Sequence, residues 1–302
     1  MMHVFLTGAT GFIGTALVRS LLTRGDRCTI VSRSGRNPWR DERVTVIRAD
    51  PTRAGEWQRA VSGVDAVVNL AGERIVDPPL RWTDARKALL RLSRVDTTRQ
   101  VVAAIKNAAQ RPAVLVSGSA IGYYGSRGSE VLEESAGPGN DFLALLAQEW
   151  ESAALDAREL LPVTLIRTGI VLGKGGGALE PMLVPFRLGL GGPWGDGGQW
   201  WSWIHIADAV GIVQFAMDRR ISGAVNVTAP NPVTVGEFAS ALGRALRRPA
   251  VVRLPAIALR IALGEAADAL LASQRVVPAR ALAAGYDFQF PVLAPALEHL
   301  LR

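Results

Sequence analysis

Cysteine is almost absent from this chain. Cys28 is the one thiol in 302 residues, which excludes an internal disulfide and any cysteine-built zinc site. Lysine is nearly missing as well: Lys87, Lys106 and Lys174 are the only three, and arginine supplies the rest of the basic charge. No apolar run reaches the roughly 18 residues that a membrane span needs. The Ala/Leu-rich stretch 254–272 is interrupted by Arg260, Glu265 and Asp268. The first residues carry neither a basic segment nor a small-residue cleavage site, so a cytoplasmic protein is expected. Charged residues make up only 20% and hydrophobic residues 49%, a balance that excludes disorder.

The net charge is 34 − 27 = +7. The arginines are spread along the chain, and the densest stretch, Arg86–Arg99, alternates with Leu, Val and Thr like the solvated face of a helix. The charge therefore points to no nucleic acid and no membrane, but to a small-molecule substrate and a phosphorylated ligand held by a few arginines; a homodimer is compatible with it. His205 has neither a cysteine nor a second histidine near it in sequence, so no metal site is expected.

Short β-branched runs at 4–7, 27–32, 44–48, 65–70, 114–117 and 163–168 alternate with helical patterns. These include 13–24, one long helix over 82–109 and another over 142–161. This rhythm predicts a doubly wound parallel sheet with helices on both faces, an α/β Rossmann architecture. After Thr168 the texture changes to glycine-rich loops around 179–187, a cluster of Trp194, Trp200, Trp201 and Trp203, and proline-punctuated short helices from 249 onward. A helix capped by Asp208 or its neighbour is expected after 204–206, and Thr234 with Glu237 has capping-box spacing. The second half reads as a smaller, mainly helical lobe over the strand ends. Its tryptophans either wall an apolar pocket under a lid at 189–198 or pack the lobe.

The strongest motif is Gly8-Ala9-Thr10-Gly11-Phe12-Ile13-Gly14, placed after a strand and opening a helix. Glycines at that spacing allow a tight turn and let a pyrophosphate approach the free N–H groups of the helix start. An NAD site wants an acid about 20 positions further on, for the ribose 2′-hydroxyl. The second strand ends instead in Ser32-Arg33, with Ser32 lying 18 residues after Gly14. A guanidinium there fits a 2′-phosphate, which favours NADP. Asp50, closing the third strand, either reaches the adenine amino group or caps the turn before Glu56. Leu70, Ala71, Gly72 and Glu73 close the fourth strand, where small residues let backbone lie beside the ribose and phosphates.

Together with Ser117-Gly118-Ser119-Ala120-Ile121-Gly122-Tyr123-Tyr124-Gly125, Arg167-Thr168-Gly169 and Trp203-Ile204-His205-Ile206, these residues resemble the extended short-chain dehydrogenase/reductase superfamily, in its branch of epimerase family proteins. The resemblance covers essentially the whole chain. It implies a Rossmann domain over 1–172 to which 204–228 return, with 173–203 and 229–302 as substrate lobe and lid. It further implies NADP contacts from Gly8, Gly11, Gly14, Ser32, Arg33 and Glu73, with Arg81, which follows Pro78-Pro79-Leu80, as a further candidate. Thr10, Phe12 and Ile13 of the glycine loop, and Arg167, are also candidates for the cofactor. Ser117 and Ser119 would flank the nicotinamide, and Ser119 resembles the superfamily's catalytic serine.

The superfamily's Tyr-x-x-x-Lys device is missing. Four residues after Tyr123, Tyr124 and Tyr286 stand Arg127, Gly128 and Phe290, and on the helix that should carry the pair Phe142 and Leu146 hold the nearest matching spacing. Ser119, Tyr123 and Tyr124 remain as catalytic candidates, with Arg127 as a conceivable cation for Tyr123. The expected function is an NADP-dependent oxidoreductase or epimerase-like enzyme, or else a catalytically degenerate NADP-binding sensor.

Overall fold

The computed structural model describes residues 1–75 and 81–302. Seven strands form one parallel sheet: β1 (His3–Thr7), β2 (Arg27–Ser32), β3 (Val44–Arg48), β4 (Ala66–Asn69), β5 (Leu115–Ala120), β6 (Val163–Thr168) and β7 (Gly223–Val227). Their order is β7-β6-β5-β4-β1-β2-β3, so the winding reverses between β1 and β4. In a doubly wound sheet that reversal leaves a crevice at the carboxyl ends of the strands. Register aligns the tips there, with Thr7 beside Asn69 and Asn69 beside Ser117.

Side chains alternate across each strand, so one sequence feeds two cores. Val4, Leu6, Ile30, Val68, Val116 and Ile166 face α1 (Phe12–Thr23) and a later helix at Ile206–Arg219. Phe5, Val31, Val67, Leu115 and Leu165 face the opposite layer. Trp57 and Val61 of the short turn Glu56–Val61 begin that layer. α2 (Asp84–Arg91) follows, capped by Thr83, whose hydroxyl accepts the Arg86 amide. A π turn (Leu92–Asp96) follows and runs into α3 (Thr97–Asn107). The helix expected over 82–109 thus carries a π turn that an even 3.6-residue periodicity does not reveal. α4 (Phe142–Leu155) starts on Asp141, whose carboxylate accepts the Ala144 amide at 2.9 Å, and ends six residues short of the expected boundary.

The lobe contains α5 (Glu180–Arg187), is joined to the sheet through α6 (Ile206–Arg219), and continues into α7 (Val235–Leu246) with its Thr234/Glu237 capping box. Trp194, Trp201 and Trp203 are buried in the lobe core with Phe186, Phe238, Leu242 and Leu297. Packing therefore takes three of the four clustered tryptophans. The segment expected as a lid is tied down by backbone bonds from Val252 to Gly191, Leu254 to Pro193 and Gly236 to Gly197.

The cap of α6 is His205, not Asp208: its Nδ1 accepts the Ala207 amide at 3.0 Å. That leaves the Nε2 proton to face His299 Nδ1 at 3.2 Å. Burial, and then His299, pull His205 down to about 4. Asp208 instead pins the chain near the C-terminus, accepting the amides of Gln289 and Phe290 at 2.8 and 2.9 Å and the Tyr286 hydroxyl at 3.2 Å.

Candidate functional site

The crevice starts at the glycine loop. Gly8 has φ +69°, and a Cβ on it would stand 2.4 Å from the Leu70 carbonyl carbon. A Cβ on Gly14 would stand 2.3 Å from the Gly8 oxygen. Side chains at either position would force the loop off β4 or off the helix. Gly11 caps α1 without a side-chain bond, and no acidic residue stands in the first turn. Among the described residues no side chain accepts the leading amides of α1, and the positive end of the helix dipole faces the crevice. This exposed cradle, with Thr10 and Gly11 at its surface, fits a bound diphosphate. The Phe12 ring turns away, packing against Gly173, Gly176 and Gly177, so Phe12 and Ile13 offer their backbone.

At the end of β2, Ser32 is buried and its Oγ lies 3.1 Å from Ser34 Oγ. Arg33 is exposed, and its Nη2 donates to Glu73 Oε1 at 3.0 Å. The two residues assigned to the ribose end by sequence are therefore together. Asp50 is exposed and accepts both the amide and the hydroxyl of Thr52, at 3.0 and 2.8 Å, rather than capping the turn at Glu56.

Leu70, Ala71 and Gly72 bring the β4 exit alongside. Thr7, Asn69, Thr98 and Trp150 form a chain beneath it: Asn69 Nδ2 donates to Thr98 Oγ1 at 2.7 Å, and Trp150 Nε1 donates to the same oxygen at 2.9 Å. Ser117 is fully buried and sits 3.4 Å from Asn69 Nδ2. The Glu73 backbone is held by the π turn. Its amide donates to Ser93 Oγ at 3.1 Å, and its carbonyl accepts Arg94 Nη2 at 2.8 Å.

Arg94 is the exception to the solvated basic face expected over 86–99. It is 9% exposed beneath Gly72, and burial pulls its guanidinium down to about 10 despite Glu73. Arg81 reaches the lobe, donating to the Ile261 carbonyl at 2.6 Å. The Pro78-Pro79-Leu80 motif before it lies outside the described residues.

At β5 and β6 the material changes from backbone to side chains. Ser119, 4% exposed, donates to Glu151 Oε1 at 2.6 Å. Arg167 grips the same carboxylate twice, Nε to Oε1 at 2.8 Å and Nη2 to Oε2 at 2.9 Å. Its Nη1 donates to the Tyr124 hydroxyl at 3.0 Å, and that hydroxyl donates to Asn226 Oδ1 at 2.7 Å. Desolvation opposes the Arg167 charge, but the Glu151 bonds outweigh it and hold its pKa above the ordinary value. Tyr124 is fully enclosed, and burial raises its phenol pKa against the pull of Arg167.

Tyr123 lies half-buried with its ring centroid 3.5 Å from the Arg167 guanidinium carbon. The cation beside Tyr123 is thus Arg167. Arg127, expected as its partner, is clamped on Glu130 instead, at 2.8 and 2.9 Å. Phe142 and Leu146 face α2 with Trp82, while Leu143 approaches the turn below Gly122. Glu151 and Asn226 were not singled out by sequence. Glu151 sits on a helix where a surface acid is the default reading, and only the fold, which returns Arg167 on β6 against that helix 16 residues later, reveals the pair.

A cavity of about 530 Å³ lies between the loop after β5 and the lobe, lined by Ser129, Gln199, Trp200, Arg260, Leu271 and Ser273 among others. The Ser273 amide donates to Ser126 Oγ at 3.1 Å, so the cavity borders the loop after β5 rather than the glycine cradle.

Residues 4–228 match the NAD dependent epimerase/dehydratase family, and residues 254–300 match a domain of unknown function, DUF1731. The chain is 41% identical over 309 residues to an epimerase family protein, the SDR39U1 homolog, chloroplastic, of Arabidopsis thaliana, covering 100% of this chain and 87% of that one. It is 40% identical over 306 residues to epimerase family protein SDR39U1 of Homo sapiens, covering 99% of this chain and 100% of that one. The crystal structure of human SDR39U1 isoform 2 with NADPH superposes with a TM-score of 0.88 at 38% identity, covering 99% of each chain.

Proposed function

Since this chain belongs to the NAD dependent epimerase/dehydratase family, we propose that it is an NADP(H)-dependent oxidoreductase or epimerase acting on a small carbonyl or hydroxyl compound. The observation that carries this reading is the uncapped glycine cradle at α1 lying one strand from the Arg33 guanidinium. The solved relative with NADPH supports the choice of cofactor. In this reading the amides of the 8–14 loop hold the diphosphate, Arg33 and Ser32 hold the 2′-phosphate, and the backbone of Leu70–Gly72 lies along the ribose. The nicotinamide, when bound, supplies a hydride acceptor or donor.

Ser119 and Tyr123 then handle the substrate oxygen. Because the Ser119 proton already points to Glu151, its Oγ is free to accept a hydrogen bond from a substrate hydroxyl, with Glu151 as the partner that fixes its direction. Arg167 and Tyr124 act as positioning residues behind them.

A second reading, an NADP(H)-binding sensor, draws on the burial of Ser119 and Tyr124 and the lack of a Tyr-x-x-x-Lys pair. NADPH absorbance followed against aldehydes, ketones and sugar nucleotides separates the two. The enzyme reading expects turnover with one class, lost in Ser119→Ala; tight NADPH binding with no turnover across the panel would replace it by the sensor.

A further inference from the structure

The guanidinium at the end of β2 already holds an anion. Arg33 Nη2 meets Glu73 Oε1 at 3.0 Å, joining two residues 40 positions apart and bringing the β4 exit over the β2 exit. Glu73 is anchored by its backbone, through Ser93 Oγ at 3.1 Å and Arg94 Nη2 at 2.8 Å. Its carboxylate is thus delivered to Arg33 by the π turn, and its placement does not depend on the ion pair alone. The β2 end itself has no acid: Ser32, Arg33 and Ser34 occupy it. Asp50, at the end of β3, bonds Thr52 and reaches Arg33 only through space. Arg48 lies beneath Gly35 at the same end and adds a second positive charge.

Resting on the NADP(H) reading above, we propose that Glu73, which the family resemblance makes an NADP contact, is instead a specificity-determining residue, the counterweight to Arg33 in the choice between NADPH and NADH. A ribose 2′-phosphate and the Glu73 carboxylate require the same guanidinium and repel each other, so binding NADPH displaces Glu73. A ribose with a free 2′-hydroxyl leaves the ion pair in place and finds in Glu73 an acceptor. That is the role an acid at the end of the second strand plays in NAD sites. Selectivity is then a balance between two side chains from different strands and not a property of Arg33 alone. The balance is a modest one because the pair is solvent-exposed, and it weakens as salt screens it.

The test is titration of the full-length chain with NADPH and with NADH, at low and high salt, in wild type, Glu73→Gln, Glu73→Ala, Arg33→Ala and the double variant Arg33→Ala/Glu73→Gln. Melting curves show which variants fold. Glu73→Gln and Glu73→Ala are expected to tighten NADPH by about twofold to fivefold and to weaken NADH, with the gain shrinking at high salt. Arg33→Ala is expected to weaken NADPH by about tenfold or more, and to remove most of the gain that Glu73→Gln brings. Folded Glu73 variants with an unchanged NADPH-to-NADH ratio, or with weaker NADPH binding, overturn the inference. Wild-type protein that binds neither nucleotide overturns the NADP(H) reading itself, an outcome distinguishable from the first.

Discussion

The two ends of one row of strand tips are built of different material. From β1 to β4 the crevice is main chain, made of glycines that bring backbone within contact of backbone and a helix start without a side-chain cap. At β5 and β6 it is a closed set of side chains, Ser119, Glu151, Arg167, Tyr124 and Asn226, each satisfied by the next. The first end is ready to receive an anion, whereas the second is satisfied internally and presents little beyond Tyr123 and the Ser119 lone pairs. A backbone site tolerates exchange of neighbouring side chains; a buried ionic network does not tolerate loss of a member.

The sharpest way to break that contrast is Glu151→Ala. It leaves the Arg167 charge buried without its carboxylate, which costs on the order of 3–5 kcal/mol. Urea unfolding should show that loss; a change within error would mean that water or a shifted side chain takes over the carboxylate's place.

The lobe junction supplies the next test, because it too depends on a buried group. His205 is 1% exposed and held near 4, below the 6.5 of an ordinary histidine. Above pH 6.5 it is neutral folded and unfolded alike, and contributes no pH dependence. Between pH 6.5 and about 4 the unfolded chain takes up a proton that the folded chain refuses, so stability falls, by roughly 3 kcal/mol in all, and then levels off. His205→Asn keeps an acceptor for the cap and should flatten the curve over that window; a wild-type curve already flat there would contradict the assignment. Smallest is Asp141→Ala, which removes the cap of the helix that carries Glu151 and should cost about 1 kcal/mol, read as a lower thermal midpoint.

What could be read in the sequence follows the same division. The glycine loop, the parallel strands, the Thr234 cap and the missing Tyr-x-x-x-Lys pair are local, since spacing within a few residues determines each. Arg33 and Glu73 were legible separately, but their contact depends on strand order. Arg94 was misread because a π turn breaks the even helical periodicity that placed it on a solvated face, and π turns leave no clear trace in composition. Glu151 and Asn226 were missed because their partners are distant in the chain, Asn226 lying 102 residues from Tyr124. The tryptophan cluster was ambiguous for a simpler reason, since an aromatic run reads alike as pocket wall or core until the lobe is packed around it.

The most direct measurement is the crystal structure of this chain with NADPH. The account predicts the diphosphate on the amides that open α1, with the 2′-phosphate on Arg33 and Glu73 turned away from it. Nucleotide seated in the cavity beside Trp200, or lying at the cradle with its adenosine end away from Arg33, would contradict it.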